Sequence, residues 1–187
     1  MTMDELVAKW QGPIGDWAIR KGWLKQEADP ENPGKLRNVP RDMLHLQMLM
    51  ITELSELVQA IKNEDDANIR EEVADFAIRA IQMRAEFGYT YASGLSADEL
   101  AQQVWQNEDE PWQLVCEAAE AYRNKALGSE EREAVIWGYL ELGIASIAMM
   151  ESPDDVDEGG ILDWLDEAIE YKMAANEKRP VMHGKLA

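Results

Sequence analysis

Two pairs of carboxylates are set apart by their spacing: Glu53 with Glu56, and Glu72 with Asp75. Residues three apart on a helix project from one face, so each pair presents two acids in one direction. Neither pair lies in a polar stretch. Glu53 falls between Met50 and Leu57, and Asp75 is bracketed by Val73, Ala74, Phe76 and Ala77. Carboxylates gathered at the edge of an apolar interface repel one another, and the usual remedy is protonation or a divalent cation. An all-oxygen ligand set favours Mg²⁺, Mn²⁺ or Ca²⁺ over Zn²⁺. A di-iron centre is the competing metal site, but it needs two Glu-x-x-His motifs. Only Asp42 and His45 approach that spacing, and the other histidine, His183, lies in the tail. Either acidic pair alone reads as a solvated helix face in a chain with 37 Asp and Glu. The two together, with only 15 residues between them and both abutting apolar stripes, suggest a metal site.

Such a site requires two adjacent helices. Over residues 41–62, Leu46, Leu49, Met50, Leu54, Leu57, Val58 and Ile61 form one broad apolar stripe. A polar turn at 63–66 opens a second helix that runs to Phe87 and Gly88, and so short a link predicts antiparallel neighbours. Ahead of them, residues 3–25 read as a helix carrying Trp10, Trp17 and Trp23, broken or kinked by Gly12, Pro13 and Gly15. Residues 28–34 read as a loop, with Pro40 just before the next helix. Further helices are expected at 96–107, 111–126, 129–151 and 158–178. The fold class predicted is all-α: one domain over residues 1–187, an antiparallel helical bundle with a paired-helix carboxylate metal site. Glu117 and Glu120 repeat the Glu-x-x-Glu spacing 64 residues on, so residues 111–151 read either as a degenerate repeat or as coincidence in a Glu-rich chain.

Charge narrows the function classes. With 18 Lys and Arg against 37 acids, the formal charge is −19, which disfavours a nucleic acid polymer as partner. A hydrophobic fraction of 46% with seven Trp is too rich for a disordered acidic chain. The lone Cys116 offers no internal disulfide, and the first residues lack the basic and apolar segments of a signal peptide. No uncharged apolar stretch of spanning length is read from the sequence, so the expectation is a cytoplasmic protein with no membrane partner.

The Glu-x-x-Glu helix over 49–62 and the Glu-x-x-Asp helix over 70–79 resemble the MazG-like all-α nucleoside triphosphate pyrophosphohydrolases. So does the ending Lys172-Met-Ala-Ala-Asn176-Glu-Lys-Arg179-Pro, followed by His183-Gly-Lys185. The stretch from about 92 to 165 is longer than the resemblance leads one to expect. That resemblance implies Mg²⁺-dependent hydrolysis of a (d)NTP at the α-phosphorus to monophosphate and pyrophosphate, a housecleaning of the nucleotide pool, with Mn²⁺ as a substitute ion. It implies Glu53, Glu56, Glu72 and Asp75 as metal ligands, with Glu56 also polarising the attacking water and Glu53 beside it in catalysis. Lys172, Asn176, Arg179 and, in the tail, Lys185 would bind substrate; the first three recur at i, i+4 and i+7 and share a helix face. A homodimer or homotetramer is implied as well. Spacing alone would make those three a polar helix end. Trp17 and Trp23 could stack on a base, although tryptophans in a bundle are mostly core. The alternatives are a pyrimidine-specific dUTP or dCTP diphosphatase, a phosphoribosyl-ATP pyrophosphohydrolase and, outside the enzymes, an acidic helical interaction protein.

Overall fold

The structure is a computed structural model that describes residues 1–39, 41–89, 94–95, 99, 102–103, 110–124, 126–151 and 160–179. Six long helices and one hairpin make up the described chain. They are α1 (Met3–Arg20), β1 (Lys25–Ala28), β2 (Leu36–Val39), α2 (Met43–Lys62), α3 (Asp66–Phe87), α4 (Pro111–Arg123), α5 (Ser129–Glu151) and α6 (Ile161–Glu177). The helical class read from the sequence therefore holds, with a small sheet added to it.

Helix α3 is the hub, packing against α1, α2, α5 and α6. Its composition explains this. Val73, Ala74, Phe76, Ala77, Ile78, Ala80, Ile81 and Met83 are all buried, which leaves little of its circumference polar. Small and apolar residues therefore cover neighbours on several sides. Asp65 opens α3 by accepting from Asn68 N at 3.2 Å, and Gly88 closes it with a left-handed φ of 67°. Helix α2 starts at Asp42, whose carboxylate accepts from Leu44 N at 2.8 Å. The turn at Asn63 and Glu64 brings α2 and α3 back to back, as so short a link demands.

Three expectations need correction. Helix α1 runs unbroken through Pro13, because Gly12 and Pro13 lie on its exposed face and the carbonyl freed by the missing N–H can meet water. The helix stops at Arg20, so Trp23 lies beyond it in the turn leading to β1. The proline-rich loop is the tip of an antiparallel hairpin pairing Lys25 with Val39 and Ala28 with Leu36. Its strands are mostly polar and too short for periodicity to reveal. Helix α5, whose apolar run contains Glu141, is long and apolar enough to cross a membrane. In this fold, 56% of that run is buried, against α3, α4 and α6. The helix expected at 96–107 and the residue Pro40 lie largely or wholly outside the described residues.

Helix α6 is strapped to α1 along its length. Asp166 accepts from Trp10 Nε1 at 2.7 Å and from Lys9 Nζ at 2.6 Å. At the far end, Lys21 Nζ donates to the carbonyls of Glu177 and Arg179 at 2.6 and 2.9 Å, placing a cation on the negative pole of the helix. These ties fix α6 across α3, opposite the acidic pairs.

Candidate metal centre

Glu53 and Glu56 come from the middle of α2, and Glu72 from the facing turn of α3. One carboxylate oxygen from each can be chosen so that all three lie within 4.8 Å of one another. Glu53 and Glu72 are each only 7% exposed, whereas Glu56 opens to solvent. Among the described residues, Glu72 Oε2 is buried without a hydrogen-bond partner. Burial pushes the Glu72 carboxyl up to about 7, helped by repulsion from Asp75 and opposed by Lys172. Burial likewise raises Glu53, although Arg79 pulls it back.

Asp75 stands one turn along α3 from Glu72, half-buried, and its Oδ2 meets Lys172 Nζ at 2.9 Å. The same ammonium donates to Glu71 Oε2 at 2.8 Å. Burial would depress the Lys172 pKa, but the two carboxylates outweigh it and raise the pKa. Asn176 is also buried, its Oδ1 without a partner. Arg179 is exposed at the rim, with its guanidinium uncommitted among the described residues. Lys185 lies outside the described residues.

Glu53, Glu56 and Asp75 share a cleft of about 270 Å³ with Arg79, Asn176 and Arg179. Trp17, Trp23, Leu49, Thr52 and Ile78 complete the wall. One part of the cleft is thus acidic and another aromatic and aliphatic. The indole Nε1 of Trp17 is buried without an acceptor, although the residue is only 3% exposed.

The donor set fits a hard divalent cation. Three acids converge, one buried carboxylate oxygen is unpartnered, and the local charge leaves room for a cation. Sequence reasoning missed two residues here. Arg79 donates from Nε to Glu53 Oε1 at 2.9 Å, and Glu71 shares Lys172 with Asp75. Arg79 had a signal, since it lies four residues after Asp75 on the same helix face. Glu71 had none, because its role depends on where α6 crosses α3. Glu117 and Glu120, the echo of the α2 motif, are both solvent-exposed on α4.

Compared with known proteins, the chain matches no protein-family model, and no curated protein or solved structure is significantly similar to it.

Proposed function

We propose that this protein is a divalent-cation-dependent nucleoside triphosphate pyrophosphohydrolase, the activity implied by the resemblance of its α2, α3 and α6 motifs. The observation that carries the reading is the convergence of Glu53, Glu56 and Glu72 from two helices, the first two of them in a cleft also lined by Asp75 and by Asn176 and Arg179 of the third motif. Mg²⁺, with Mn²⁺ as substitute, would be held by Glu53, Glu56, Glu72 and Asp75, and would supply neutralisation of the triphosphate and of the departing pyrophosphate.

The side chains divide the remaining work. Glu56 is the most solvent-open acid of the triad, so it takes the proton from the water attacking the α-phosphorus. The Pα–O–Pβ bond breaks, and pyrophosphate leaves with that bridging oxygen. Glu53 is held in place by Arg79 and supports this arrangement from behind. Arg179, planar and exposed at the rim, grips phosphate oxygens bidentately. Asn176 offers its unpartnered carbonyl to a donor on the sugar, and Trp17 and Trp23 offer indole surface to the base. The resemblance assigns Lys185 to substrate binding as well. The reading includes a homodimer or homotetramer.

The test is release of monophosphate and pyrophosphate from each common NTP and dNTP with Mg²⁺, with Glu53→Gln/Asp75→Asn as control. Metal-dependent release that disappears in the control supports the reading, and strong preference for dUTP or dCTP would narrow it to a pyrimidine diphosphatase. No release from any nucleotide would return the protein to an acidic helical interaction module.

A further inference from the structure

Around the candidate metal centre, the charge of the acids is partly offset by cations that the protein already carries. Five carboxylates, from Glu53, Glu56, Glu71, Glu72 and Asp75, meet two committed cations, Arg79 and Lys172. Arg79 holds one oxygen of Glu53 from the cleft wall. Lys172 is different in kind. It is 2% exposed, it comes from another helix, and its ammonium bridges Glu71 Oε2 at 2.8 Å and Asp75 Oδ2 at 2.9 Å. An ammonium so deeply buried is retained only when its charge is paired, so these contacts must be exchanged for others and cannot simply be dropped.

Asp75 is therefore already engaged by a cation, whereas Glu72 Oε2 is buried with no hydrogen-bond partner among the described residues. The four acids are not equivalent toward an incoming ion. One oxygen each of Glu53, Glu56 and Glu72 lie within 4.8 Å of one another, with Arg79 holding Glu53 from the cleft wall, whereas Asp75 stands outside that group with its Oδ2 held by Lys172. An anion can take over an ammonium, and a triphosphate entering this cleft brings several anionic oxygens.

We propose that Lys172 is a resident counter-cation that withholds Asp75 from divalent metal until a polyphosphate draws its ammonium away, so that metal loading is sequential. The first ion binds Glu53, Glu56 and Glu72 without nucleotide. Asp75 becomes a ligand only when nucleotide is present. This rests on the metal reading above and goes beyond it by fixing an order of binding. It also gives Lys172 two successive partners, an acid in the empty site and a phosphate in the filled one.

The experiment is a Mn²⁺ titration of the full chain followed by electron paramagnetic resonance, with and without an α,β-methylene nucleoside triphosphate. Wild type is expected to bind Mn²⁺ alone and to gain affinity or a further ion when the analogue is added. Lys172→Gln is expected to bind Mn²⁺ about tenfold more tightly without nucleotide, because the competing ion pair is gone, and to gain less from the analogue. Asp75→Asn guards against a Lys172→Gln variant that folds poorly. It should leave nucleotide-free Mn²⁺ affinity unchanged and abolish the gain with analogue. Equal or weaker Mn²⁺ binding by Lys172→Gln, or a tenfold loss in Asp75→Asn without nucleotide, overturns the sequence of loading while leaving the metal reading intact. Absence of saturable Mn²⁺ binding by wild type overturns both.

Discussion

Replacing Glu72 by glutamine should stabilise the metal-free protein at alkaline pH. The Glu72 carboxyl is raised from 4.5 to about 7, first by burial and then by Asp75. Its folded-state pKa lies above the unfolded one, so the folded protein binds the proton more tightly. Stability of the metal-free protein accordingly falls as pH rises from about 4.5 to about 7 and levels off above that. At about 1.4 kcal/mol per pH unit the full penalty would be about 3 kcal/mol, and solvent reaching the open side of the cleft reduces this to about 2 kcal/mol. A glutamine at this position would carry no charge in the same volume. In EDTA at pH 8, Glu72→Gln should therefore melt about 4–8 °C above wild type, from about 2–4 °C per kcal/mol for a chain of this size. At pH 4 the two should melt together. Burial also raises Glu53, so both proteins keep some slope of the same sign, and the difference between them isolates Glu72. Saturating Mg²⁺ should reverse the order, since wild type gains about 3 kcal/mol at a hundredfold excess over Kd and the variant gains less. Scanning calorimetry across pH, with EDTA or Mg²⁺, reads all of these. A variant that is no more stable than wild type at pH 8 in EDTA would refute the claim that Glu72 is held in an unfavourable ionised state.

Other side chains around the site give effects of known sign. Arg79→Ala leaves Glu53 buried without its partner and should destabilise the metal-free protein by about 3 kcal/mol in urea unfolding. Adding Glu53→Gln to Arg79→Ala should recover most of that loss. Trp17→Phe removes an indole N–H that has no acceptor in the folded protein, so stability should change by less than about 1 kcal/mol. If a nucleotide accepts from that N–H, KM should rise about three- to tenfold with kcat little altered, as steady-state kinetics would reveal. Trp137→Phe acts at a residue that does not line the cleft. It deletes the donor to Glu141 Oε1 at 2.6 Å and puts a smaller, weaker ring beneath Arg84, both in the core, and should cost about 2–3 kcal/mol by thermal unfolding.

The acids and the helices bearing them were legible because both signals are local. Apolar residues at helical spacing and the short link at 63–66 oblige α2 and α3 to lie antiparallel, and a three-residue spacing obliges each pair to share a face. The hairpin was not legible. Its strands are four residues each, β1 is exposed throughout, and its proline and glycine signals read equally as loop. Pro13 misled for a related reason, since a helix continues through proline more readily where the freed carbonyl can meet water, and exposure is a property of the folded molecule.

Sequence spacing by itself determined which acids could meet, and which residues of α6 share a face. Only the tertiary structure decided how those sets divide their labour. It buries Lys172 against Glu71 and Asp75, seats Arg79 on Glu53, leaves Glu72 Oε2 unpartnered and brings Trp17 and Trp23 to the wall of the same cleft. A charge acquires its partner from the angle and register at which helices cross. Those depend on packing among residues a hundred positions apart, whereas the face that a side chain occupies depends only on its neighbours along one helix.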